Sequence, residues 1–196
     1  MQTIPAKLIS LDTKTSSFAL QTGIVITATL FIAVCAHFSI PLPFSPVPMT
    51  LQNFAVLLVG LALGPRLGFI ALCTYLAEGV LGLPVFNPLG LGGIAQLLGP
   101  TGGYLMSYPV VAFAAGFTTQ FLRRWMPAFT ASALGCLAAS LCLFASGAAW
   151  LLTAWHLSTH VVWLTAVAPF LPGEVFKVGA AAAIYSGCQN WLSRKS

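Results

Sequence analysis

Eight Lys or Arg and three Asp or Glu are the only charged side chains among 196 residues. That scarcity limits the fold more than any other feature. Charged residues make up 6% of the chain and hydrophobic residues 58%, where soluble domains carry about a quarter charged. A soluble protein of this length has no interior large enough to hide so much apolar surface, so lipid must be the solvent for much of it. The length suits one domain covering 1–196. The five cysteines, Cys35, Cys73, Cys136, Cys142 and Cys188, fall in apolar stretches without a CxxC pair and read as small buried hydrophobes. Lys7 and Lys14 precede an apolar run longer than a signal-peptide core, with no small-x-small site after it, so an uncleaved first span is expected.

The apolar runs predict an all-α, polytopic membrane protein with six transmembrane helices, over 18–38, 50–63, 67–83, 103–122, 128–152 and 172–192. About 20 residues at ~1.5 Å each cross a hydrocarbon core of roughly 30 Å. The second run is short and is expected to be shielded by its neighbours or to extend into the preceding loop. Segment 153–171 is amphipathic and is read as a connecting helix along the outer interface. Lys7 and Lys14, Arg66, Arg123 and Arg124, and Arg194 and Lys195 all fall on one side of that threading. Basic residues stay cytoplasmic, so both termini are expected inside and the opposite loops outside. Those outer loops, "IPLPFSPVPM" and "PVFNPLGLGGIAQLLGPTG", are rich in Pro and Gly but hardly hydrophilic, and are expected to fold back over the bundle as lids.

Two of the rare charges, Glu174 and Lys177, stand three positions apart in "PFLPGEVFK" (169–177), at the outer end of the last span. A charge inside a span costs about 2.5–3.5 kcal/mol on insertion scales, so it usually has a partner or a task. The spacing puts both on one helix face, and Pro172 suits the first turn. Helix-end chemistry is one reading, with Glu174 complementing the dipole and Lys177 snorkelling. The other is a polar grip on a small ligand. Glu78, the other intramembrane acid, either pairs with Lys177, lines the same pocket, or makes a structural hydrogen bond to a neighbouring Tyr or Thr. "HLSTH" sets His156 and His160 four apart, but no third metal ligand stands at suitable spacing. No Walker A motif and no GxSxG or paired-acid arrangement is present, so no cofactor and no enzymatic role are expected, nor any nucleic-acid partner. An intramembrane enzyme or an ion-coupled carrier for another small carboxylate is the alternative function.

"VPMTLQNFAVLLVGLALGPRLG" (47–68), "YLAEGVLGLPVF" (75–86), "GPTGGYL" (99–105) and "PFLPGEVFK" together resemble the BioY family, the biotin-specific S components of energy-coupling-factor (ECF) transporters. The resemblance implies biotin uptake across the cytoplasmic membrane. It implies as partners a transmembrane coupling protein and two ATPase subunits, which alone would use ATP. The expected substrate site is Glu174, Lys177, Asn87, Tyr104, Gln52, Glu78 and Phe86, of which the resemblance matches Glu174 and Lys177 to the family's binding motif; Asn53 and Gln96 are further polar candidates, and Leu89, Leu91 and Trp163 further wall candidates. Glu174 stands where the family commonly has Asp, and is expected to accept hydrogen bonds from the ureido N–H groups. Span one carries a small-residue ridge, Ala19, Gly23 and Thr27, which packing within the bundle explains as well as the docking on the coupling protein that the resemblance suggests.

Overall fold

The computed structural model describes residues 18–194; Lys7, Lys14 and Lys195, which entered the topology assignment, lie outside them. Helix α1 covers Phe18–His37, α2 Gln52–Val80, α3 Gly93–Leu98, α4 Gly102–Leu122, α5 Ala128–Thr153, α6 Thr159–Val162 and α7 Leu171–Ser193. Among the described residues, five helical segments are long and apolar enough to cross a membrane, and α2 is two crossings in one. Gly64 breaks it at φ 76°, ψ 179°, in the region that favours glycine. Pro65 then restarts the helix at a position where its missing N–H costs nothing. The arms fold back on each other. Gln52 Nε2 lies 2.7 Å from the Tyr75 hydroxyl, although 23 residues of straight helix would separate them by about 34 Å. Six crossings result, as expected from the hydropathy. The first arm, 52–63, is only about 18 Å long, and eight of its twelve residues are buried, so its neighbours and not lipid surround it.

Helix α4 forms the centre, packed on α2 on one side and α5 on the other. Small residues permit that closeness. A Cβ on Gly60 would stand 2.5 Å from the Ala112 carbonyl oxygen, and one on Gly116 would stand 2.6 Å from the Gly60 carbonyl oxygen. The buried stripe of α5 runs Ala131, Ser132, Gly135, Cys136, Ala139, Ser140 and Leu143, at the three- and four-residue steps of a helix face. The cysteine expectation holds for Cys35 and Cys136, whereas Cys73, Cys142 and Cys188 are exposed. They sit on the bundle's outer face, where an apolar thiol meets lipid as readily as protein.

The threading sorts the connections into two ends. The Gly64 turn, Arg66, Arg123, Arg124 and Arg194 share one end. The other end gathers loops 38–51, 81–101 and 154–170. Ser39–Ile40 (β1) pairs antiparallel with Met49–Thr50 (β2), closing the first loop into a flap, and Val47 within it is buried. The third connection runs from α6 through a π-helical stretch, Trp163–Val167, and a 3₁₀ turn, Ala168–Phe170, into α7. Its twelve residues would span at most about 18 Å as α-helix, too little to cross. His156 sits in a turn at φ 49° before α6 begins, so it shares no helix face with His160. Among the described residues, no group of three His, Cys, Asp or Glu side chains is placed to hold a metal.

Candidate functional site

At the looped end, a small cavity of about 60 Å³ of water-accessible space lies between α2, α4, α5 and α7. Small-molecule sites are mostly apolar with a few placed polar groups. Val47, Pro48, Leu105, Leu143, Phe144 and Phe170 supply much of the apolar wall. Five of the seven predicted site residues line this cavity, namely Gln52, Asn87, Tyr104, Glu174 and Lys177. They come from four separate parts of the chain, which the helix packing converges.

Glu174 and Lys177 face the cavity as the three-residue spacing requires, but they hold different partners. Lys177 Nζ donates to the Thr50 carbonyl at 2.8 Å, on the flap strand, which leaves ammonium protons for a ligand. Glu174 is buried. Its carboxylate accepts from Asn53 Nδ2, 2.7 Å from each oxygen, and from the Ser140 hydroxyl. Burying a carboxylate is costly unless donors satisfy it; α2 and α5 provide them here.

The remaining polar wall is braced from outside the cavity. Gln52 donates to Tyr75, whose hydroxyl donates to the Val85 carbonyl at 2.7 Å, fastening α2 to the second loop. Asn87 Oδ1 accepts from Ser39 Oγ and from the Leu89 N–H, both at 3.0 Å, while its buried Nδ2 has no partner. Gln96 is held by the Gly92 N–H at 3.2 Å and by Thr101 Oγ1 at 3.1 Å. Tyr104 donates to the Ala166 carbonyl at 2.7 Å, tying the π-helical stretch to α4. Its ring occupies the space that a Cβ on Gly147 would fill.

Glu78 and Phe86 are not brought to the cavity. Glu78 points to α1, where Thr29 Oγ1 donates to it at 3.0 Å; this is the structural hydrogen bond to a threonine, and Lys177 is engaged elsewhere. Phe86 is buried edge-on against Tyr75, with ring centroids 5.5 Å apart, over Gly79, whose missing Cβ makes room for the ring. It pins the second loop to α2 instead of walling the cavity. Leu89, Leu91 and Trp163 are exposed. The sequence offered no charge or motif to single out Ser140 or Tyr108, although Tyr108 lines the cavity and Ser140 binds Glu174. A helical serine on a small-residue stripe looks like packing.

The family model described as "BioY family" matches residues 10–194. A probable biotin transporter BioY of Pyrococcus horikoshii is 36% identical over 82% of this chain and 93% of its own. The biotin transporter BioY of Rhodobacter capsulatus is 35% identical over 77% of this chain and 83% of its own. Among solved structures, the S-component for biotin from an ECF-type ABC transporter superposes with a TM-score of 0.80 at 26% identity, covering 93% of this chain and 95% of that one.

Proposed function

The chain belongs to the BioY family, and from that membership we propose that it binds biotin and serves its uptake as the substrate-specific component of an ECF-type transporter. The observation that carries this reading is the fold match to an S-component for biotin along nearly the whole of both chains, with the cavity at its looped end. The family is one of transporters, which removes the intramembrane enzyme from consideration. Biotin carries a carboxylate at one end and a ureido group, with two N–H donors and a carbonyl, at the other. The cavity's largely apolar wall with a few buried polar groups suits such a molecule. Lys177 supplies N–H donors and a positive charge, Asn87 an unpartnered N–H donor, and Asn53 with Glu174 the accepting side.

Arg66, Arg123, Arg124 and Arg194 lie at the end opposite the cavity. The positive-inside rule therefore puts the cavity on the outer face of the cytoplasmic membrane, with both termini inside. Capture would fold loops 40–49 and 84–103 over biotin, and connection 163–170, through Ala166 and Phe170, forms a third cover. Inward release then requires the bundle to move against a transmembrane coupling protein, with two ATPase subunits supplying the work and no cofactor bound to this chain. A surface groove of about 560 Å³ between α1 and the first arm of α2, lined by Ala19, Gly23, Thr27, Ala28, Leu58 and Ala62, fits that docking.

Native mass spectrometry of the purified chain, supplied with biotin, is expected to show a one-to-one complex. In detergent, Lys177→Ala and Glu174→Ala are each expected to lose at least ten-fold in affinity. Wild-type affinity in both would remove this site.

A further inference from the structure

Glu174 does not meet the cavity as a free carboxylate. Asn53 Nδ2 approaches both of its oxygens at 2.7 Å, and Ser140, from α5, donates to Oε1 as well. A carboxylate only accepts hydrogen bonds, so the Asn53 amide must turn its nitrogen toward the acid and its oxygen away. That oxygen, Oδ1, is buried and has no partner, in a side chain 6% exposed that lines the cavity. An orphaned buried carbonyl is destabilising, and native structures seldom leave one without a reason.

We propose that the Asn53 side-chain carbonyl is the acceptor that reads a ligand N–H in this cavity, and that Glu174 and Ser140 are positioning residues that hold it there. The proposal rests on the biotin reading above and assigns one ureido N–H of biotin to Asn53. Donating to the carboxylate polarises the Asn53 amide, which makes its oxygen a stronger acceptor than an isolated amide. Three helices contribute: α2 presents the carbonyl, α7 the acid behind it and α5 the hydroxyl that steadies the acid. The cavity thereby offers a neutral acceptor backed by a buried negative charge. Such a group favours an N–H donor and repels a carboxylate, which orients an asymmetric ligand. The length of the Glu174 side chain belongs to the same arrangement, since its reach sets the oxygens against Asn53 and Ser140.

The test compares biotin with its two mono-N-methylated ureido derivatives, using isothermal titration of the detergent-purified full chain. The wild type is expected to discriminate against one of the two derivatives by at least ten-fold. Asn53→Leu, which removes both polar atoms, should bring that ratio below about three-fold. Asn53→Ser keeps a donor for Glu174 but withdraws the carbonyl; it should do the same, and it guards against a Leu variant that fails to fold. Ser140→Ala should weaken biotin binding several-fold while keeping most of the discrimination, because Asn53 still presents its oxygen. Wild-type discrimination in a folded Asn53→Ser protein would overturn the proposal, making Asn53 a structural brace. A wild type that binds biotin but ignores both methyl groups would also overturn it. Failure of the wild type to bind biotin would instead sink the functional reading itself, and this assignment with it.

Discussion

Removing the Tyr104 hydroxyl tests whether connection 163–170 is a moving cover. Tyr104 donates to the Ala166 carbonyl at 2.7 Å, 62 residues away in sequence, and this bond fastens the π-helical stretch to α4. Tyr104→Phe keeps the ring that walls the cavity and fills the space over Gly147, so the perturbation is confined to the tether. A hydrogen bond of this kind contributes on the order of 1 kcal/mol net, which corresponds to roughly five-fold in a rate. The tether holds the connection against α4 in the structure and is expected to persist with biotin bound. If entry and exit both require the connection to lift, the bond is broken in the transition state for each. Association and dissociation should then both accelerate by about five-fold, with the equilibrium constant nearly unchanged. Rapid filtration with radiolabelled biotin in detergent reads both rates. Unchanged rates would refute the cover. A dissociation constant that rises by the full factor at constant association rate would show instead that the hydroxyl touches biotin directly.

Gly116→Ala should lower the melting temperature in detergent, at a cost of roughly 1–3 kcal/mol, because its Cβ meets the Gly60 carbonyl oxygen at 2.6 Å and the Pro65 nitrogen at 2.7 Å; backbone on both sides cannot step aside. Glu78→Leu removes one contact, because the Thr29 hydroxyl keeps the Ile26 carbonyl as an acceptor, and should leave biotin affinity within two-fold by titration; a larger loss would contradict the placement of Glu78 outside the cavity. Gly23→Leu projects into open space within the α1–α2 groove, so biotin binding should survive while co-purification with the transporter partners is lost; loss of both would show misfolding.

How much was legible follows from what each feature depends on. Span positions depend on hydropathy over about 20 residues, and Gly64–Pro65 states its own break through backbone chemistry, so the six crossings could be read without coordinates. Glu174 and Lys177 were legible for a related reason: in a chain with three acids, each intramembrane charge is conspicuous. Conspicuousness marks importance but not direction. Tyr75 and Glu78 are three residues apart on one arm, yet Tyr75 is fully buried beside Gln52 while Glu78 turns to Thr29 on α1. Which neighbour a side chain meets is set by helix rotation, and rotation is decided by the whole pattern of small residues at the α2–α4 and α4–α5 crossings. The same dependence hid Ser140, whose hydroxyl reaches an acid 34 residues away across the packing of α5 on α7. The polar cluster is therefore a product of the packing, and its geometry should be as sensitive to a methyl group at a distant glycine as to a change within the cavity.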